Sequence, residues 1–318
     1  MSNHIVNVAI VGATGNIGRF ITEALLKTGK HKVTALARSG RSTTLPVGVS
    51  RKEIDYGKRK TIVEALNGQD ALVIILNSKA PEETELLLVQ AAGEAGVKWV
   101  LPNDWAPDTT NKAMNKDIVV FPAKAAIRKS IVQLGKCNFI GVSTGLLYEW
   151  SLAIPFAFGI DLLNRTATFF DDGETKVTTS TWPQIGRAVA ALLSLPIKFS
   201  GDDACLERFK NQVVYVKSFT VSQKDMLESV LRVTGTQESD WAISKEPSKE
   251  RWANGIKEMV QGSRIGFAKM LYTRVFYQDG AGNIEAKGPL NSMLGLPTED
   301  IDEFTKIAIE RAKPQPWK

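Results

Sequence analysis

The chain opens on a run of apolar, mostly β-branched positions and then changes period. "IVNVAIVG" (5–12) lacks the polar alternation of a half-exposed strand, which predicts a strand buried on both faces. "NIGRFITEALLKTG" (16–29) then places Ile17, Phe20, Ile21 and Leu25 at helical spacing and stops on a glycine, which predicts a helix. Further strands follow at "HKVTALAR" (31–38), "SRKEIDY" (50–56), "DALVIILN" (70–77), "VKWVLPN" (97–103) and "NFIGVSTG" (138–145). Helices are predicted over 58–66, 81–95 and "PAKAAIRKSIVQLG" (122–135). Strands and helices alternating over short connections are the pattern of a parallel sheet covered on both faces.

After Tyr148 the rhythm breaks. "YEWSLAIPFAFGI" is aromatic and interrupted by proline, and "RTATFFDDGETKVTTS" predicts a hairpin around Asp172-Gly173. "PQIGRAVAALLSL" reads as a helix and "NQVVYVKS" as a strand that rejoins the sheet; from Val233 onward the chain reads as mostly helical and polar. The expectation is an α/β protein. Its doubly wound parallel sheet fills residues 1–148, and a smaller lobe over 149–318 covers the sheet's C-terminal edge, with about 181–232 partly rejoining the first lobe.

Composition narrows the function classes. The 318 residues are 43% hydrophobic, enough for a large core, and 40 basic against 34 acidic residues leave +6. That balance suits a small anionic ligand as well as it suits nucleic acid. The densest basic stretch, "RKEIDYGKRK" (51–60), lacks interleaved aromatics and reads as a solvated face, so no nucleic-acid partner is expected. Cys137 and Cys205 are too few for a disulfide framework, and with only His4 and His31 no metal site is expected. The first apolar run leads straight into a glycine loop, and "SLAIPFAFGIDLL" is broken by Pro155 and Asp161. The expectation is therefore a soluble, cytoplasmic protein with no membrane partner.

The loop between the first strand and helix is "GATGNIG", with Gly12, Gly15 and Gly18 three apart. A dinucleotide pyrophosphate must approach bare backbone at a helix N-terminus, where N–H groups and the helix dipole favour negative charge. In that arrangement Gly12 permits the turn, Gly15 the approach and Gly18 the packing of helix on strand, which makes the sheet Rossmann-type. The second strand ends in "ARSGR". A 2′-phosphate calls for a guanidinium there, whereas a free ribose hydroxyl calls for an acid, so Arg38, Ser39 and Arg41 point to NADPH. Thr14, Asn16 and Ile17 of the loop complete the expected cofactor set, with Asp55, Asn77, Ser78 and Asn103 near later strand ends and Lys124 beyond them.

"GATGNIG", Arg38, "VLPNDWAPD" and "FPAKAAIRKSI" together resemble the isoflavone-reductase-like, or NmrA-like, branch of the atypical short-chain dehydrogenases. "PQIGRAVAALLSLP" and "FTVSQKDMLESVL" extend the likeness. The resemblance implies an NADPH-binding monomer or weak homodimer with a substrate cleft between its lobes. It also implies a catalytic role for Lys124, which stands where the family's reductases carry a lysine. A lysine between an apolar wall and an oxidised nicotinamide is a usable acid or base. The Tyr-x-x-x-Lys pair of ordinary short-chain dehydrogenases is missing, since Val120 stands four residues before Lys124. The resemblance implies that departure for the branch's reductases and equally for NmrA-like regulators that bind nucleotide without turnover; it argues against simple alcohols and leaves activated acceptors open. Trp105, Tyr148, Trp150 and Phe156 are the expected walls of an apolar substrate pocket, with Phe158 read as core between the lobes.

Three readings stay open. The first is an NADPH-dependent reductase of a sizeable conjugated small molecule (an enone, imine or phenylpropanoid-like compound of secondary metabolism), with Lys124 assisting proton transfer. The second is an NADPH-bound enzyme that steers a redox-neutral rearrangement or cyclisation. The third is an NADP(H)-sensing regulator acting through a protein partner.

Overall fold

The computed structural model describes residues 3–40, 44–77, 80–81, 83–199 and 204–314. The first half contains β1 (Asn7–Val11), α1 (Asn16–Lys27), β2 (Lys32–Arg38), β3 (Ser50–Ile54), α2 (Arg59–Leu66), β4 (Ala71–Ile74), α3 (Glu83–Glu94), β5 (Trp99–Leu101), α4 (Lys112–Asp117), α5 (Phe121–Leu134) and β6 (Asn138–Ser143). Then come β7 (Leu146–Leu147), α6 (Tyr148–Ser151), α7 (Pro155–Phe158), β8 (Ile160–Asp161), β9 (Thr166–Phe170), β10 (Val177–Ser180), α8 (Trp182–Leu193) and β11 (Gln212–Tyr215). The rest is β12 (Phe219–Val221), α9 (Gln223–Thr234), β13 (Ala242–Glu246), α10 (Ser248–Val260), α11 (Arg264–Val275) and α12 (Ile301–Ala312).

Seven strands form one parallel sheet in the order β11-β6-β5-β4-β1-β2-β3. The apolar run of β1 after Asn7 has a direct cause. Val8 and Ile10 face one layer, against Ile17, Ile21 and Leu25 of α1 and Ile185, Val189 and Leu193 of α8. Ala9 and Val11 face the other, against Ile62 and Leu66 of α2, Leu88 and Val89 of α3, and Ile131 of α5. Burying one such larger side chain is worth about 1.5–3 kcal/mol, so the strand is fixed from both sides and with it the loop that follows. Because β1 lies between β2 and β4, the chain reverses direction across the sheet there. In such sheets ligands bind outside the carboxyl ends of the strands at that switch point.

A second core gathers Phe158, Phe170, Phe219, Met270, Phe276 and Phe304 beneath two three-stranded sheets, β12-β10-β7 and β13-β9-β8. The hairpin expected around Asp172-Gly173 does not form. The chain does turn sharply there, with Asp171 at φ 56° and Gly173 at φ 76°. However, β9 pairs with β8 and β13, whereas β10 pairs with β7 and β12. The N–H of Asp171 donates to the Glu246 carbonyl at 2.9 Å, so the strand continues along β13 instead of folding back. α8 returns to the first layer and packs on α1, and β11 pairs with β6 in parallel. Among the described residues no helix is long and apolar enough to cross a membrane.

Candidate functional site

The loop after β1 is built by its glycines. A Cβ on Gly12, whose φ is 82°, would lie 2.2 Å from the Ile75 carbonyl oxygen, and one on Gly18 would lie 1.9 Å from that of Gly12. Neither position admits a side chain. Gly15 differs: a Cβ there would meet only the Gly12 oxygen, at 3.3 Å. That one contact is tight, but nothing else in the chain crowds the position, so Gly15 is far more open than Gly12 or Gly18 and its outer side is free for a ligand. Gly15 is also the N-cap of α1, with no side-chain cap and no acidic residue in the first turn. The first-turn N–H groups therefore face outward with the positive end of the helix dipole. Thr14 and Asn16 are exposed beside them, while the Ile17 side chain is buried and contributes backbone alone.

Arg38 is exposed at the end of β2, where its charge acts on the phenol of Tyr56. Burial raises that phenol's pKa and Arg38 opposes the rise. The neighbouring Ser39 N–H donates to the Ile54 carbonyl at 3.1 Å and ties β2 to β3. Asp55, expected to face the cofactor, is instead engaged in the turn into α2. Its Oδ1 accepts from the Gly57 N–H at 2.9 Å, and Oδ2 lies 3.9 Å from Lys58. Asn77 is exposed beyond β4, its carbonyl accepting from the Ala80 N–H at 3.0 Å. Arg41 and Ser78 lie outside the described residues.

At the end of β5 the chain is held by α3 and α5. The Lys124 ammonium, half-buried in the first turns of α5, donates to the Asn103 carbonyl. One turn later on the same face, Arg128 donates to Asp104 and, at 2.7 Å, to the Thr109 hydroxyl. Arg128, Asp104 and Thr109 are all buried, and Thr109 in turn donates to Asp104 at 2.9 Å. The Asn103 side chain, expected to contact the cofactor, is spent on the Leu76 backbone: Oδ1 accepts its N–H at 3.2 Å and Nδ2 donates to its carbonyl at 3.3 Å. From α3, Glu85 accepts the Asn103 N–H at 2.6 Å. Burial pushes the Glu85 carboxyl up, while that N–H and the Lys124 charge pull it down. Sequence reading missed Glu85, Asp104 and Arg128. Asp104 and Arg128 lie inside motifs already singled out, but Glu85 is one acid among several in "PEETE" and gives no signal of its own.

The aromatic residues divide. Trp105 is half-buried, and its Nε1–H donates to the Ile74 carbonyl at 2.9 Å, which pins the indole to the end of β4. Trp150 is also half-buried, 6.4 Å from Trp182 between ring centres, with the Arg311 guanidinium 5.1 Å from its own ring and 4.5 Å from that of Trp182. Trp105 and Trp150 border the same apolar cluster as Ala13 and Ile17 of the glycine loop. Tyr148 does not line a cleft. It is fully buried in the second core, its hydroxyl bonded to that of Thr305 at 2.8 Å and its ring edge-on to Phe219. Phe156 is half-buried, and its carbonyl accepts from Arg251 at 2.9 Å; Phe158 is core. A surface depression of about 490 Å³, bordered by Asp172, Glu174, Lys176, Gln278 and Asn283 among others, shares no residue with this set.

Glu149, also missed, is buried between Tyr148 and Trp150. One oxygen accepts the Trp182 N–H at 2.8 Å, at the start of α8, and the other has no hydrogen-bond partner among the described residues. Burial pushes this carboxyl up to about 7, with Arg311 pulling the other way.

Known proteins match the chain along most of its length. Oxidoreductase aprR of Aspergillus flavus is 26% identical over 306 residues, covering 94% of this chain and 97% of its own. Among solved structures, AtPrR2 with NADP+ and (+)-pinoresinol superposes with a TM-score of 0.74 at 20% identity, covering 96% of this chain and 99% of the other. The NADPH-dependent quinone oxidoreductase QOR2 of Escherichia coli, complexed with NADPH, gives 0.69 at 19% identity, covering 94% and 98%. The model of the NmrA-like family matches residues 6–202. That stretch holds the glycine loop, Lys124 and the return of α8 to the sheet, and the chain belongs to the NmrA-like family.

Proposed function

We propose that the protein is an NADPH-dependent reductase of a sizeable, conjugated small molecule, with residues 1–148 holding the cofactor and the remainder mainly the substrate. The observation that carries this reading is the glycine loop. Of its three glycines Gly15 is the least crowded, with the Gly12 oxygen alone near a Cβ built there, and it caps a helix N-terminus that has no side-chain cap, at the sheet's switch point. A pyrophosphate fits such a cradle by charge and by shape. The first-turn N–H groups of α1 would hold it, and the exposed Arg38 would take the 2′-phosphate. Further support comes from AtPrR2 and QOR2, which carry NADP+ and NADPH, and from aprR, an oxidoreductase.

NADPH, when bound, supplies a hydride to the acceptor. The chain's own residues orient the acceptor, exclude water and deliver a proton. Trp105 offers a flat apolar face whose orientation is set by its bond to Ile74, which suits a conjugated or aromatic ring. Lys124 gives its ammonium proton to the atom that gains the electron pair, and solvent restores that proton. The absent tyrosine fits an acceptor that is already activated, such as an enone, imine or quinone-like compound, rather than a simple ketone.

The test is NADPH oxidation by the purified protein, screened against conjugated ketones, imines, quinones and phenylpropanoids. Acceptor-dependent oxidation with stoichiometric reduced product supports the reading. Conversion of an acceptor without net NADPH loss replaces it with redox-neutral catalysis. Absence of any turnover, together with an NADPH-dependent change in affinity for a protein partner, replaces it with a sensor.

A further inference from the structure

Every polar atom of Asn103 is occupied. Its N–H donates to Glu85, its carbonyl accepts from Lys124, and its side-chain amide exchanges two hydrogen bonds with the Leu76 backbone. The residue thus ties together the ends of β4 and β5 and the helices α3 and α5. The charged groups acting on Glu85 are Lys124 and Arg128 from α5 and Asp104 from the loop after β5. Arg128 and Asp104 bond to each other, which leaves Lys124 as the cation opposite Glu85. A carboxylate in this half-buried place carries a desolvation cost that its bond to Asn103 and the nearby ammonium offset only in part.

We propose that Glu85 is a positioning residue for Lys124: by holding the Asn103 N–H it fixes the carbonyl of that same residue, and the carbonyl holds the Lys124 ammonium at the end of β5. The inference rests on the reading of Lys124 as the proton donor. It gives Glu85 no contact with substrate or cofactor. The relay needs a hydrogen-bond acceptor at position 85, and the acid supplies one whose charge also balances the lysine.

Two variants test it. Glu85→Gln keeps an acceptor for the Asn103 N–H, whereas Glu85→Ala removes it. The first readout needs no substrate: competitive acetylation of the cofactor-free protein by acetic anhydride, followed peptide by peptide by mass spectrometry. In Glu85→Ala, Lys124 loses its fixed carbonyl and labels several-fold faster relative to the exposed Lys129, while Glu85→Gln labels like the parent. With an acceptor substrate, Glu85→Ala lowers kcat by about ten- to a hundredfold, the value of one charge-assisted hydrogen bond. NADPH affinity stays within about twofold because no pyrophosphate contact changes, and Glu85→Gln keeps most of the turnover. Equal Lys124 labelling in all three proteins overturns the proposal. So does a Glu85→Gln variant that behaves like Glu85→Ala, because charge rather than the bond would then hold the lysine. If Lys124→Ala is inactive while Glu85→Ala is not, only this inference falls; if Lys124→Ala is fully active, the reading of Lys124 falls first.

Discussion

Glu149→Gln changes one buried charge and keeps the shape around it. The amide oxygen of Gln can still accept the Trp182 N–H that Glu149 accepts at 2.8 Å, so the start of α8 keeps its bond. What disappears is a carboxyl whose pKa rises from 4.5 to about 7 on folding, chiefly by desolvation, with Glu299 adding to the rise and Arg311 opposing it. The folded state therefore binds this proton more tightly than the unfolded chain does. The stability it contributes is fully present below about pH 4.5 and is lost as the pH rises through about 7. One pKa unit corresponds to about 1.4 kcal/mol, so the whole loss is on the order of 3 kcal/mol. Gln carries no such loss. Urea unfolding of parent and variant at five pH values from 5 to 9 isolates this group, because the other titrations are common to both proteins. The stability of the variant relative to the parent should climb by about 2–3 kcal/mol between pH 5 and 8 and then level off. A difference that stays flat across that range refutes the argument. A difference that falls would mean that attraction to Arg311 outweighs the cost of burial.

Three further outcomes bear on the site itself. Arg38→Ala should weaken NADPH roughly ten- to a hundredfold and barely touch NADH, as expected when one charge-assisted bond to the 2′-phosphate is lost; equal losses by titration would make Arg38 structural. Gly15→Val should abolish binding of both cofactors with a much smaller change in the thermal transition than a side chain at Gly12 or Gly18 would cause, since the backbone at φ −73°, ψ 176° admits a side chain and a new Cβ meets only the Gly12 oxygen, in a tight contact at 3.3 Å; retained affinity would place the pyrophosphate elsewhere. Lys124→Ala should lower turnover by about two to four orders of magnitude while NADPH affinity changes far less. Lys124→Arg should not restore turnover, because a guanidinium cannot release its proton near neutral pH, and full activity in Lys124→Ala would leave positioning alone as the mechanism.

The first half of the fold was legible because local pattern and tertiary environment agree there. A strand segment buried on both faces must be apolar at every position, and β4 and the part of β1 after Asn7 are, so their sequences carry the layering directly. Between Arg165 and Ser180 the agreement fails. Turn chemistry at Asp172-Gly173 correctly marks a reversal, but pairing depends on which strand edges are free nearby. Those edges belong to β13 and β12, 76 and 40 to 44 residues farther along the chain. A local motif cannot report partners at that distance. β13 was missed for the same reason: none of its residues is buried, so it has no apolar pattern, and its position comes from the ladder with β9.

The candidate site divides along a similar line. What the backbone does was readable, because only glycine fits beside the Ile75 and Gly12 carbonyls and the sequence must record that demand. What side chains do in networks was not. Tyr148 and Trp150 belong to one aromatic stretch, yet the single turn of α6 sends the first into the second core and leaves the second beside α8. Glu85 lies 18 positions before Asn103, and Lys124 lies 21 after it, so only the side-by-side pairing of β4 and β5 brings the three together. Asn103 and Lys124 lie in motifs, but Glu85 carries no signal of its own because it acts through the Asn103 backbone. The physical consequence is an uneven tolerance to change. The loop should fail on the addition of a single methyl at Gly12 or Gly18, whereas the Asn103 hub should accept any side chain at position 85 that presents a hydrogen-bond acceptor at the same reach.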